Sequence, residues 1–281
     1  MVGTMGKIGR AALGLGAGGI AVLGALKVRD DRYVARIWRQ LEVISRGSGS
    51  PFEGEMVAGL PEPARRYFLH TIRPGTPLAS GFRWRYRGSL RTGRDAPWMD
   101  LRADQILVRD RGFVWKATAS RPPLFLTGAD HWLDGESRMR ISAFGLVPVV
   151  SASGPDIARS ASARLLIEGV ALPPALLPGQ NVTVEPVDES RFRALVRLGE
   201  WQTPITVAVD EAGRATEVVL DRWGDYTPDR SFRLIPYGAK LGDEATFGNY
   251  TIPTRISVGW WYGTPDYLEV IRLKLDWIEY L

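Results

Sequence analysis

In the ten residues GFRWRYRGSL, from Gly81 to Leu90, Phe82, Trp84 and Tyr86 alternate with Arg83, Arg85 and Arg87. Neighbouring side chains on a strand point to opposite faces, so this run puts three aromatic rings on one side and three arginines on the other. A helix would scatter both sets around its circumference. The run is therefore a half-buried strand, with its arginines in water and its rings against a core or a pocket. It commits the chain to a sheet with one wet face.

Comparable segments, punctuated by Gly, Pro and Asp, fill most of the remaining sequence. Strands are predicted at 98–108, 113–119, 125–133 and 138–142, then at 181–187, 191–198, 202–210, 215–223, 231–241, 254–262 and 268–281. Turn chemistry such as Asp134-Gly135 and Gly224-Asp225 separates them. Between Asp130 and Pro178 the pattern changes to a turn, a short apolar run, a helix-like segment at 156–169 and a proline-bracketed apolar plug at 172–177. A meander of about eight to twelve strands curls to hide its edges. The expected fold is thus mainly β (α+β): a curved antiparallel sheet or half-open β-barrel, with a central helical insert lying across it. An N-terminal membrane helix is expected in addition.

That last expectation rests on residues 11–28, AALGLGAGGIAVLGALKV, which carry no charge before Lys27. At a rise of ~1.5 Å per residue such a helix just crosses a ~30 Å hydrocarbon core. Lys7 and Arg10 resemble a signal n-region, but no cleavage site follows. Residues 1–28 are read as a membrane anchor or uncleaved signal, giving a single-pass membrane protein. Its sidedness is open, because Lys27, Arg29 and Arg32 compete with the earlier charges. Residues 29–51 follow as an amphipathic helix and linker. Tyr33, Ile37, Trp38 and Leu41 recur at helical spacing, either at a membrane surface or packed on the domain, and SRGSGSP at 45–51 has linker composition. The β-rich domain is assigned to 52–281. It opens with a short helix in ARRYFLHTI behind Pro61 and Pro63.

The net charge is +5, mostly from arginine. Those arginines alternate with aromatics along strands instead of clustering, which argues against a nucleic-acid partner. With no cysteine, disulfides, thiol nucleophiles and cysteine-ligated zinc are excluded. No G-x-S-x-G elbow, phosphate loop or dinucleotide fingerprint occurs, so no cofactor is implied. The two histidines, His70 and His131, have no partner at metal-ligand spacing, and no metal site is assigned.

The aromatic residues carry the functional expectation. Trp84, Trp115, Trp132 and Trp260 each fall on the apolar side of a strand. As core they require no function; as the lining of a curved sheet they form an apolar pocket with N–H groups at its edge, suited to a lipid-like ligand. Met139 is expected on the pocket wall and Trp132 near the rim. Arg164 and Glu168 stand one helical turn apart. They form a surface ion pair, or they lie beneath the sheet, where Arg164 holds an anionic head group. Gln105 is an inward polar handle or a plain exposed residue. The candidate ligand-binding set is Trp84, Trp115, Trp132, Met139, Arg164 and Trp260, with no catalytic residue.

The runs LPEPARRYF (60–68), LRADQ (101–105), FVWKA (113–117), DHWLDGESRM (130–139), FGLVPV (144–149) and LLIEGVALPPALLP (165–178) together resemble a bacterial family of domains of unknown function. The resemblance covers about 52–281 and implies one N-terminal membrane helix followed by a β-rich domain. More distantly, the layout is similar to bacterial lipoprotein carriers, in which helices close a half-open barrel over an apolar cavity. The expected function is a membrane-anchored domain that binds an apolar or lipid-like ligand without catalysis. The alternatives are a hydrolase using Asp130, His131 or Glu168, and a structural or interaction module of the cell envelope.

Overall fold

The strand foretold by the arginine–aromatic alternation is β1 (Gly81–Leu90), and it lies near the middle of a thirteen-stranded sheet. The computed structural model describes residues 2–45 and 49–281, with side chains from Gly19 onward in the first helix. From β1 a meander spreads to one side through β2 (Met99–Val108), β3 (Gly112–Arg121), β4 (Leu124–Leu133), β5 (Glu136–Ala143) and β6 (Val147–Ser153). A second meander enters at the opposite edge. It runs inward through β7 (Val182–Pro186), β8 (Arg191–Leu198), β9 (Trp201–Val209), β10 (Ala215–Gly224), β11 (Arg233–Phe247), β12 (Tyr250–Trp260) and β13 (Leu268–Tyr280). β13 then pairs antiparallel with β1, setting Phe82 opposite Tyr280 and Leu90 opposite Ile271.

This order leaves the chain at one edge, β6, and needs it at the other, β7. The connection is α3 (Pro155–Ile167) followed by two 3-10 turns, Glu168–Ala171 and Pro173–Leu176. The helix crosses the concave face, touching β3 to β6 on one side and β9 and β10 on the other. The sheet curls around it as an antiparallel half-barrel. Local chemistry explains where α3 begins. Gly154 adopts φ 108°, Pro155 occupies the first turn where its missing N–H costs nothing, and Asp156 puts a negative charge in that turn. The helix predicted at 156–169 is this element, with its last turn tightened to 3-10.

The apolar plug closes one end of the half-barrel. Leu172 is fully buried and Leu176 nearly so, both within the main core cluster. Carbonyls of the plug and of the turn before it accept from three side chains. Tyr280 Oη donates to Ala171 O at 3.0 Å, Arg109 Nη1 to Pro174 O at 3.0 Å, and Tyr67 Oη to Val170 O at 3.4 Å. Tyr67 belongs to α2 (Glu62–Thr71), the short helix expected behind the two prolines.

On the convex face the arginines of β1 meet carboxylates of adjacent strands. Arg85 Nε lies 2.7 Å from Asp104 and Arg83 Nη2 lies 2.5 Å from Glu279, each its register partner. Farther along β2 and β3 the outer face turns apolar, with Ile106, Val108 and Val114 all buried. Ile37 and Leu41 of α1 (Val2–Ile44) cover these three residues. The helical spacing of Tyr33, Ile37, Trp38 and Leu41 thus reflects packing on the sheet, not a membrane surface.

The single-pass membrane localisation is also corrected. Among the described residues, no helix is long and apolar enough to cross a membrane. The described side chains of α1 turn charged from Lys27 onward, with Asp30 paired to Arg138 and Arg140 on β5. The side chains of the earlier part of the 11–28 segment, and residues 46–48 of the expected linker, lie outside the described residues.

Candidate functional site

The concave face encloses a cavity of about 560 Å³ between α3 and the sheet. Its walls are Trp84 and Tyr86 of β1, Trp115 of β3, Met139 and Ile141 of β5, and Trp260 of β12, and Val170 and Ala171 of the turn after α3 also line it. The period-two alternation puts these rings inward, and they pack on one another. Trp84 stands edge-on to Tyr86 at 5.5 Å between centroids, and Trp260 lies between Tyr226 at 4.5 Å and Tyr237 at 4.8 Å. Trp115 Nε1 donates to Tyr86 Oη at 2.6 Å, and burial pushes the Tyr86 hydroxyl above its ordinary pKa. Gly224 is required here, because a Cβ at that position would lie 2.4 Å from the Trp260 ring.

One polar cluster sits in this apolar surround. The Arg164 guanidinium, carried in by α3, donates through all three nitrogens: Nε to Glu168 at 2.9 Å, Nη1 to Asp130 Oδ2 at 2.8 Å and Nη2 to Gln105 Oε1 at 3.2 Å. The Gln105 amide closes the ring by donating to Glu168. The guanidinium lies 4.8 Å from the Phe113 ring and 5.0 Å from that of Trp115. Burial opposes the Arg164 charge, yet Glu168 and Asp130 hold its pKa above the ordinary range. Burial outweighs the pull of Arg164 on Asp130, whose carboxyl is raised above the usual carboxylate range. Asp130 Oδ1 is buried without a partner among the described residues.

A second cation stands apart from this cluster. Arg222 of β10 lines the cavity, with its guanidinium 4.7 Å from the Tyr237 ring and 4.9 Å from that of Trp260. Its Nε donates to the Ser160 carbonyl at 3.1 Å and lies 3.2 Å from Ser160 Oγ. Arg222 was not apparent among the sequence candidates. The signal was present: Val218, Leu220 and Arg222 alternate in one strand, which puts an arginine on the apolar face.

Of the six sequence candidates, Trp84, Trp115, Met139, Arg164 and Trp260 meet around the cavity. Trp132 does not. It is 3% exposed, pairs in register with Phe113 and lies in the core toward the plugged end, so its expected rim position is corrected. The Asp134-Gly135 turn that suggested a rim belongs to the closed end, where Asp134 N donates to Arg111 O. Gln105 is the inward handle and is fully buried.

The hydrolase grouping is not assembled. Asp130 and His131 project to opposite faces of β4, and His131 lies on the convex side 5.4 Å from the Tyr33 ring of α1. Glu168 and Asp130 are both committed to Arg164.

Among solved structures, a LolA superfamily protein from Nitrosomonas europaea is 13% identical over 77% of this chain and 91% of its own, with a TM-score of 0.42. A DUF1329 family protein from Desulfovibrio piger is 10% identical over 78% of this chain and 90% of its own, with a TM-score of 0.41. No curated protein sequence matches the chain. Residues 50–272 match the family of unknown function DUF6544, and the chain belongs to that family.

Proposed function

We propose that the half-barrel binds an apolar or amphipathic, lipid-like ligand and holds it without chemical change. The observation behind this reading is the cavity itself. Its volume of about 560 Å³ falls within the roughly 300–1,000 Å³ typical of small-molecule sites. It is walled by Trp84, Trp115, Met139 and Trp260, with its charged groups gathered at a few points. A sheet built only as a core would fill such a space, since protein interiors pack with few voids larger than a water molecule. Arg164 serves in this reading as the tie that fixes α3 over the cavity. Its nitrogens are already engaged by Glu168, Asp130 and Gln105.

The test uses a neutral apolar fluorophore, N-phenyl-1-naphthylamine, titrated into the protein, together with native mass spectrometry after exposure to a bacterial lipid extract. The expected result is one saturable site whose occupancy is lost on competition with the extract, and a retained lipid mass. A folded protein that neither enhances the probe nor retains any lipid rules the ligand reading out.

A further inference from the structure

We propose that Arg222 is the head-group anchor of the cavity and that the ligand is an acyl-type chain ending in an anionic group. This inference rests on the ligand reading above and assigns the polar end of that ligand. Among the described residues, four arginines line the cavity: Arg91, Arg164, Arg222 and Arg230. Arg164 is saturated by two carboxylates and an amide. Arg91 donates to the carbonyls of Glu269 and Arg94, and Arg230 is 73% exposed, with Asp225 at 4.0 Å. Arg222 forms no ion pair among the described residues, and its only hydrogen bonds run from Nε to Ser160.

The geometry fixes the guanidinium without using its fork. Tyr237 and Trp260 lie against it and Ser160 holds Nε, which leaves the Nη groups as donors toward the cavity. A guanidinium so held is pre-organised for a carboxylate or phosphate, which it grips through paired N–H groups. A half-buried cation without a counter-charge is costly, and an anionic ligand head relieves that cost. Asp130 attracts Arg222 electrostatically, but no hydrogen bond or ion pair joins them among the described residues: Oδ2 accepts from Arg164 and Oδ1 has no partner. The chain of such a ligand would then run along Trp84, Trp115 and Met139.

The experiment compares four probes of equal chain length: oleate, oleoyl lysophosphatidate, oleyl alcohol and oleylamine. Wild-type protein is expected to bind at least one anionic probe about tenfold or more tightly than the alcohol, and the amine most weakly. Preference for oleate or for lysophosphatidate identifies the head as carboxylate or phosphate. Arg222→Gln should erase the preference, bringing the anionic probes to the affinity that the same variant shows for the alcohol. Equal binding of acid and alcohol, or a preference that survives Arg222→Gln, overturns the assignment while leaving the ligand reading intact. Binding of none of the four removes both. Carboxyl-labelled oleate gives a second measurement that does not depend on the variant folding. Beside Arg222 its carboxylate should titrate below its value in free monomeric oleate; titration at or above that value places the head elsewhere and refutes the proposal.

Discussion

Arg164 Nη1 of α3 lies 2.8 Å from Asp130 Oδ2 of β4, which ties the crossing helix to the inner face of the half-barrel. Both side chains are largely buried, at 14% and 4% exposure. Removing one partner of a buried ion pair leaves the other charge unpaired in a medium that solvates it poorly. Arg164→Leu strands two carboxylates at once and is expected to cost about 3–5 kcal/mol. Asp130→Asn keeps an acceptor for Nη1 and removes a carboxyl already raised in pKa, so its cost should be clearly smaller. Urea midpoints of the two variants check the order; equal losses would mean that the charge of Asp130 matters as much as that of Arg164.

Trp115 and Tyr86 separate binding from stability. Trp115→Phe keeps most of the ring but leaves the buried Tyr86 hydroxyl without its donor, a loss of about 1–3 kcal/mol. Trp115→Ala opens space as well and should cost about 3–5 kcal/mol. If the cavity holds ligand, Trp84→Ala and Trp115→Ala also weaken probe affinity in protein that is still folded. Calorimetry run beside the probe titration separates the two effects.

The parts of this fold that were legible in the sequence are those governed by local physics. The alternation from Phe82 to Arg87 placed β1 and both its faces, and the run at 156–169 placed α3. β6 was missed for a physical reason: Val147, Pro148, Val149 and Val150 are all exposed on an edge strand, so no burial rhythm was imprinted on them. Pro148 can sit there because an edge leaves one side of the ladder unpaired. The pairing of β1 with β13 was not legible, since it joins residues about 200 positions apart and leaves no local mark. For the same reason Asp130 and Gln105 could not be assigned to Arg164. The apolar rhythm of α1 was visible, but it does not reveal whether lipid or the outer face of β2 and β3 covers it.

Gly224 sits where β10 passes under the Trp260 indole. A methyl group there would lie 2.4 Å from the ring, well inside contact distance, and the ring is rigid. Gly224→Ala must displace Trp260 from its stack with Tyr226, at an expected cost of about 1–3 kcal/mol. The displacement should change the near-ultraviolet circular dichroism of the stacked rings. An unchanged aromatic spectrum together with an unchanged melting temperature would mean that the indole has room to move.

His131 makes stability depend on pH. Burial beneath α1, reinforced by Arg138, lowers its pKa to about 4, from an ordinary value near 6.5. Between these values the unfolded chain binds a proton that the folded protein refuses. The His131 contribution is therefore fully present above pH 6.5 and is lost as pH falls toward 4. Its full size is roughly 3 kcal/mol. His131→Gln should flatten the wild-type stability profile across this window; a profile with unchanged slope would locate the acid sensitivity in the carboxylates.

Leu41 decides whether α1 is an integral part of the fold. It is fully buried and packs on Ile106, Val108 and Val114 of the convex face. Trp38 adds a cation–π contact, with Lys116 Nζ 4.1 Å from the ring centroid, and burial lowers the Lys116 pKa. Arg83, in turn, reaches back to Glu42 at 3.1 Å. Leu41→Asp buries a carboxylate with no partner and should release the helix instead of keeping it docked. Amide exchange over residues 33–44 is then expected to accelerate by orders of magnitude, because a helix end released from the sheet opens locally without breaking tertiary contacts. Probe affinity should change little, since the cavity opens on the other face of the sheet. Slow exchange in the variant would show that the contacts from Trp38, Glu42 and Asp30 hold α1 without Leu41.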